Sequence, residues 1–187
     1  GIEVAGILSE MKKFVLPNDY PDMPSSLMHI YLIEAGPRLL AGMSEESSAH
    51  AEQFLREMGV NILLNKRVVD YRDHKVVLED GTEIATRTFI WVSGVTGVTI
   101  GNLDASLIGR GGRIKVDSFN RVEGMNNVCA IGDQCIQLAD ENYPNGHPQL
   151  AQVAIQQGEL LAKNLIRMEK GQEMKPFHYR NLGSMAT

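Results

Sequence analysis

The chain reads as an α/β protein built on a parallel sheet. Three observations carry that reading. Helical and strand-like runs alternate from the first residue, the strand-like runs are short and rich in Ile, Leu and Val, and glycines or carboxylates stand where those runs end.

The segment "GIEVAGILSEMKKFV" has a helical pattern, with Ile2, Ala5, Gly6, Ile7 and Leu8 apolar and Glu3, Glu10, Lys12 and Lys13 polar. "LPNDYPDMPSS" carries three prolines and several turn formers and is expected as a loop. "LMHIYLIEAG" is expected as a buried strand ending in Glu34 before Gly36-Pro37. A second helix follows, with Ser44 as N-cap, acidic residues in its first turn and Gly59 as its stop. Short strands are expected in "VNILLNKRVVDYR", "KVVLEDGTEIA" and "TFIWVSGV", with Asp80-Gly81 as a hairpin turn. After Gly97 the composition becomes polar and glycine-rich, which marks a domain crossing. "NNVCAIGD" is expected as a strand closing on Gly132-Asp133, and "HPQLAQVAIQQGELLAKNL" as a helix with Pro148 at its first position. The tail "PFHYRNLGSMAT" is irregular.

Bulk properties exclude several classes. Among 187 residues, 43% are hydrophobic and 22% charged, which is ordinary for a soluble globular protein. The net charge of −5 gives no general attraction to a phosphate backbone, so nucleic acid is not expected. No apolar run approaches the roughly 20 residues that cross a bilayer. Two cysteines, Cys129 and Cys135, make neither a disulfide framework nor a zinc cluster. Both read as structural, with Cys129 a small buried residue in its apolar run.

Two constellations bear on chemistry. In the first, Gly1 opens a helix in the manner of the last glycine of GxGxxG, where free N–H groups and the helix dipole favour a pyrophosphate. Glu34 then stands where a strand-end carboxylate accepts hydrogen bonds from an adenosine ribose and repels a 2′-phosphate, favouring NAD over NADP. The opposing possibility is a polar strand end before a turn. In the second, Asp133 closes an apolar strand, where a carboxylate can hold sugar-like hydroxyls; a plain Gly-Asp turn has the same appearance. In the following helix, Ala151, Ala154, Gly158 and Ala162 form a seam that admits a neighbouring backbone or a flat ring. Gln152 and Gln156 share a face beside it, and the N–H groups at Gln149, Leu150 and Ala151 aim positive charge at whatever the helix faces.

"GIEVAG", "YLIEAGPRLL", "WVSGV", "AIGDQC" and "HPQLAQVAIQQG" occur here in the order found in type II NADH dehydrogenases, the single-subunit NADH:quinone oxidoreductases. The resemblance covers essentially the whole chain, and AIGD combined with AQxAxQ is its most specific part. It implies a Rossmann-like flavoprotein with two dinucleotide-binding domains. Residues 1–97 would be an NADH domain lacking its first strand, and residues 98–187 the returning half of the FAD domain. The missing parts would be the first FAD glycine motif and a C-terminal segment that docks on the membrane. The resemblance places Gly132 and Asp133 at FAD and Gln149, Leu150 and Ala151 at the flavin. It places Gln152 and Gln156 at the quinone, Glu34 at the NADH ribose and Gly1 at its pyrophosphate. Glu3 would lie near nicotinamide and flavin, and Gly94 would face the nicotinamide. It further implies hydride transfer from NADH to FAD, reduction of a membrane quinone, and a parent protein peripheral to the cytoplasmic side of the cell membrane. For the chain by itself the expectation is a soluble piece, self-associating through exposed apolar edges, with no tightly bound FAD and little turnover. Two alternatives stay open: another flavin reductase of the ferredoxin or sulfide:quinone type, and a non-catalytic nucleotide-binding fragment.

Overall fold

The computed structural model describes residues 1–98 and 100–183. These form two compact units, residues 1–93 and 94–183.

The first unit opens with helix α1 (Ile2–Glu10). Its continuation corrects the expected loop. Met11–Val15 widen into a π turn, and α2 (Leu16–Asp19) follows with Pro17 near its start. Proline within a helix clashes with the carbonyl four residues back, and a wider turn relieves that clash, so the helical path survives to Asp19. Strand β1 (Ile30–Ile33) is four residues long and pairs in parallel with β2 (Val60–Leu63), register Ile30 to Val60. Helix α3 (Glu45–Glu57) connects them, completing a βαβ unit. Ser44 caps α3 as expected, its hydroxyl accepting from the Ser47 N–H at 3.1 Å. Gly59, at φ 86°, follows the helix end. The core is Ala5, Leu39, Leu55, Val60 and Ile62, so α1 and α3 both pack on the parallel pair.

The run "VNILLNKRVVDYR" splits. Its second half, β3 (Val68–Arg72), joins β4 (Lys75–Leu78) and β5 (Glu83–Ala85) in an antiparallel meander. The Asp80-Gly81 hairpin forms as read, with the Gly81 N–H donating to the Leu78 carbonyl and the Asp80 carboxylate accepting from the Thr82 N–H at 3.0 Å. The expected strand "TFIWVSGV" does not form. Ile90, Trp91 and Val92 are exposed, and no ladder partner is present among the described residues to satisfy their backbone.

The second unit has one parallel pair, β6 (Ile114–Val116) with β7 (Cys135–Gln137), over a core of Ile114, Val116, Val122, Ala130 and Cys135. The glycine-rich stretch has a physical cause: the Gly97 N–H donates to the Gly111 carbonyl at 2.7 Å, and a side chain at Gly97 would run into the Gly112 backbone. The expected strand at 126–133 is a correction too. Cys129 makes an isolated bridge to Arg121, and the ladder belongs to residues 135–137 instead. Cys135, not Cys129, is the buried thiol, and both cysteines are free. Helix α4 (Ala151–Glu169) begins at Ala151 with Leu150 as its cap residue, so Pro148 lies outside it rather than at its first position.

Candidate functional site

Each unit presents one group of the residues singled out above. In the first, α1 starts directly after Gly1, whose carbonyl accepts from the Ala5 N–H at 2.9 Å. A methyl added at Gly1 would lie 3.7 Å from Leu32 on β1, an ordinary contact, so the helix start does sit on the strand without excluding a small side chain. Glu3 is exposed in the first turn. Glu34 directly follows β1, at the carboxyl end of the parallel pair, where open α/β sheets gather ligands. One of its carboxylate oxygens accepts from the Gly36 N–H at 2.7 Å, which fixes the side chain over the turn. Its backbone continues the ladder, N–H to the Leu63 carbonyl and carbonyl from the Lys66 N–H.

In the second unit, Gly132 and Asp133 lie in a one-turn 3-10 segment, Gly132–Gln134, preceding β7. Gly132 has φ 65°, and a side chain there would stand 3.2 Å from the Ala154 methyl. The middle of the small seam of α4 therefore meets this turn, while Ala151 and Ala162 at its two ends are exposed. A methyl on Gly158 would lie 3.7 Å from Ile131, on the same turn. Gln157 locks the contact. It is 1% exposed, and its carbonyl oxygen accepts from the Gly132 N–H at 2.7 Å and from the Cys135 thiol at 3.6 Å. Gln149 ties the other side, donating to the Asp133 carbonyl at 3.0 Å, while the Asp133 side chain is exposed. Leu150 is the cap residue of α4: its own N–H donates to the Pro148 carbonyl at 3.0 Å, and its side chain makes no cap hydrogen bond to the helix. An uncapped N-terminus retains its partial positive charge.

Gln152 and Gln156 are both half-buried, and both grip the irregular tail. The Gln152 amide donates to the Gly183 carbonyl at 2.9 Å and accepts from the Leu182 N–H at 3.0 Å. The Gln156 amide donates to the Arg180 carbonyl at 2.9 Å and accepts from the Arg180 N–H at 3.0 Å. Gly94 opens the second unit at φ 103°, a backbone angle that favours glycine.

Sequence reasoning missed three further amides of this kind. Gln134 pairs with both backbone groups of Val98, Asn164 with both of Lys175, and Gln157 with Gly132. Asn164 was within reach, since it falls on the same helical face as Val153 and Gln157. It also missed His147, 1% exposed, bonded at 2.9 Å to Asp140 and surrounded by Tyr143, Phe177 and Tyr179. That hydrogen bond holds the Asp140 carboxyl below its usual range. The cysteines are poor redox groups: burial pushes both thiols up, away from the reactive thiolate.

A βαβ unit with a carboxylate at its strand end, and a glycine–aspartate turn seated on a helix, define a Rossmann-like α/β architecture. The chain belongs to the pyridine nucleotide-disulphide oxidoreductase family, which its residues 1–158 match. It is 32% identical to the type II NADH:quinone oxidoreductase NdhA of Mycobacterium tuberculosis, with all of this chain and 41% of that protein aligned. It is 29% identical to a type II NADH:quinone oxidoreductase of Haemophilus influenzae, covering 42% of that protein. The chain thus spans about two fifths of these relatives. Among solved structures, NDH2 of Plasmodium falciparum in complex with NADH superposes with a TM-score of 0.85 at 18% identity, over 98% of this chain and 52% of that one. A ferredoxin reductase of Rhodopseudomonas palustris shares the fold at a TM-score of 0.63 and 20% identity, over 82% of this chain and 38% of that one.

Proposed function

We propose that the whole protein carrying this chain is an NADH:quinone oxidoreductase, converting NADH, a proton and a quinone into NAD⁺ and the quinol. The supporting observation is the Gly132-Asp133 turn held against the uncapped start of α4 by Gln149 and Gln157. FAD, when bound, accepts the hydride and releases electrons onward. Asp133, beside Gly132, would lie at its ribitol and pyrophosphate region, the exposed carboxylate accepting from ribitol hydroxyls. The N-terminal groups Gln149, Leu150 and Ala151 would offset negative charge on the reduced ring. Residues 1–97 would serve NADH: Gly1 at the pyrophosphate, Glu34 at the ribose, Glu3 and Gly94 near the nicotinamide. Residues 98–187 would serve FAD.

Gln152 and Gln156 would contact the quinone. A primary amide has two N–H donors and two acceptor lone pairs, and the tail takes one of each, so every amide keeps a donor and an acceptor. Peripheral attachment to a membrane and self-association belong to the same proposal. Exposed Ile7, Phe14 and Phe54 on the helices of the first unit supply apolar surface for association, and among the described residues no helix is long and apolar enough to cross a membrane. The cysteine-dependent alternative is disfavoured by the raised thiols.

The test is Gln152→Ala in the whole protein. Quinone reduction is expected to fall roughly tenfold, the scale of one lost hydrogen bond to substrate, with flavin reduction by NADH little changed in stopped-flow traces. Equal loss in both half-reactions removes the assignment.

A further inference from the structure

The tail from Lys175 to Gly183 has no regular structure, so its backbone groups need partners elsewhere. One bond is internal, the Asn181 side chain accepting from the Gly183 N–H at 2.9 Å; the partners outside the tail come from α4 and one loop and fall into two groups. The proximal group anchors: Asn164, 1% exposed, takes both backbone groups of Lys175 at 2.8 and 2.9 Å. The Phe177 N–H donates to the Ser118 carbonyl at 2.7 Å, and its ring, 3% exposed, packs edge-on against His147. Tyr179 packs against Tyr143 and His147. The distal group consists of Gln156 on Arg180 and Gln152 on Leu182 and Gly183.

The two groups differ in burial. Of the anchors, Asn164 and Phe177 are buried and Tyr179 is half-buried, whereas Arg180, Asn181, Leu182 and Gly183 are all exposed. The distal segment can therefore lift while the aromatic anchor stays in place. It also runs antiparallel to α4, residue 175 beside 164 and residues 182–183 beside 152, so Gln156 and Gln152 meet the backbone one helical turn apart, and Asn164 meets it about two turns further along. A glutamine side chain loses much rotamer entropy when fixed. Once both ends of its amide are bonded to the tail, that loss has already occurred, and the remaining donor and acceptor point in set directions.

We propose that Arg180–Gly183 are positioning residues that orient Gln152 and Gln156 for the quinone, so that docking of this segment and quinone binding are coupled. The inference rests on the quinone reading of those two glutamines. It assigns the tail an action through them, not on the quinone itself.

Proline lacks the N–H that each glutamine oxygen receives, while alanine keeps it. Arg180→Pro and Leu182→Pro therefore remove one grip apiece without altering either glutamine, and Arg180→Ala and Leu182→Ala are the matched controls. In the whole protein, the proline variants are expected to raise the KM for a short-chain ubiquinone roughly tenfold and leave flavin reduction by NADH unchanged, with the alanine variants as wild type. The second measurement needs no variant: coupling is reciprocal, so saturating short-chain ubiquinone should slow hydrogen exchange at the Arg180 and Leu182 amides of the unaltered protein. Faster exchange over 180–183 in the proline variants with an unchanged quinone KM overturns the inference, as does exchange in the wild type that ignores the quinone. Either result leaves the quinone reading standing if Gln152→Ala still impairs quinone reduction; if that variant spares it, the reading has failed first.

Discussion

The two units hold their chain by different means. In residues 1–93, backbone ladders do most of this, β1 with β2 and the β3–β4–β5 meander, with a side-chain cap at Ser44 closing the start of α3. In residues 94–183 the one ladder of named strands is three residues long on each side, and buried or half-buried side-chain amides take over. Gln134, Gln152, Gln156 and Asn164 each engage backbone N–H and C=O together, and Gln157 and Gln149 fasten the Gly132-Asp133 turn from either side. A ladder shares its load over many bonds, whereas an amide clamp concentrates it in one side chain. The second unit should accordingly be the more fragile to single substitutions at polar positions.

The sharpest way to break this comparison is Gln157→Leu. It keeps the volume but leaves the half-buried Gly132 N–H facing an apolar side chain, and leaving such a group unsatisfied costs about 1–3 kcal/mol. Region-resolved hydrogen exchange should show residues 94–183 losing roughly that much protection while residues 1–93 are spared. Equal loss in both units contradicts the contrast. A smaller effect is expected in the first unit from Ser44→Ala, which removes the α3 cap and should cost about 1 kcal/mol, read as a shift in the denaturant midpoint of that unit.

The smallest effect concerns acid. Asp140 has its carboxyl held below the usual carboxylate range by the His147 hydrogen bond. A lowered carboxyl contributes stability that is present above its unfolded value and lost as pH falls through the lower folded value. The second unit should lose stability faster than Asp140→Asn as pH drops below about 4, with the two curves running parallel above it. A common slope at low pH would show that this bond carries no pH-linked stability.

Legibility in the sequence followed the range of the forces. The Ser44 cap, the Gly59 stop and the Asp80-Gly81 hairpin depend on neighbours within a few residues, and each formed as read. The apolar run at 88–95 looked like a strand because composition cannot tell a ladder from an exposed apolar segment. The strand expected at 126–133 lies instead at 135–137, since pairing with Ile114–Val116 decides which residues enter the ladder. Residue types at the candidate sites were visible, and so was the puzzle of a glutamine-rich helix with a small seam. Its solution was not, because the partners of Gln152, Gln156 and Gln157 lie 22 to 31 residues away along the chain.

The grip of α4 on the tail reads no side-chain chemistry at Arg180 or Leu182; it touches peptide groups alone. Those two positions are thereby released from any demand on charge, size or shape, and the one amino acid they exclude is the imino acid. A glutamine row of this sort is a generic handle for an extended strand, and it leaves the outward surface of that strand at liberty to vary.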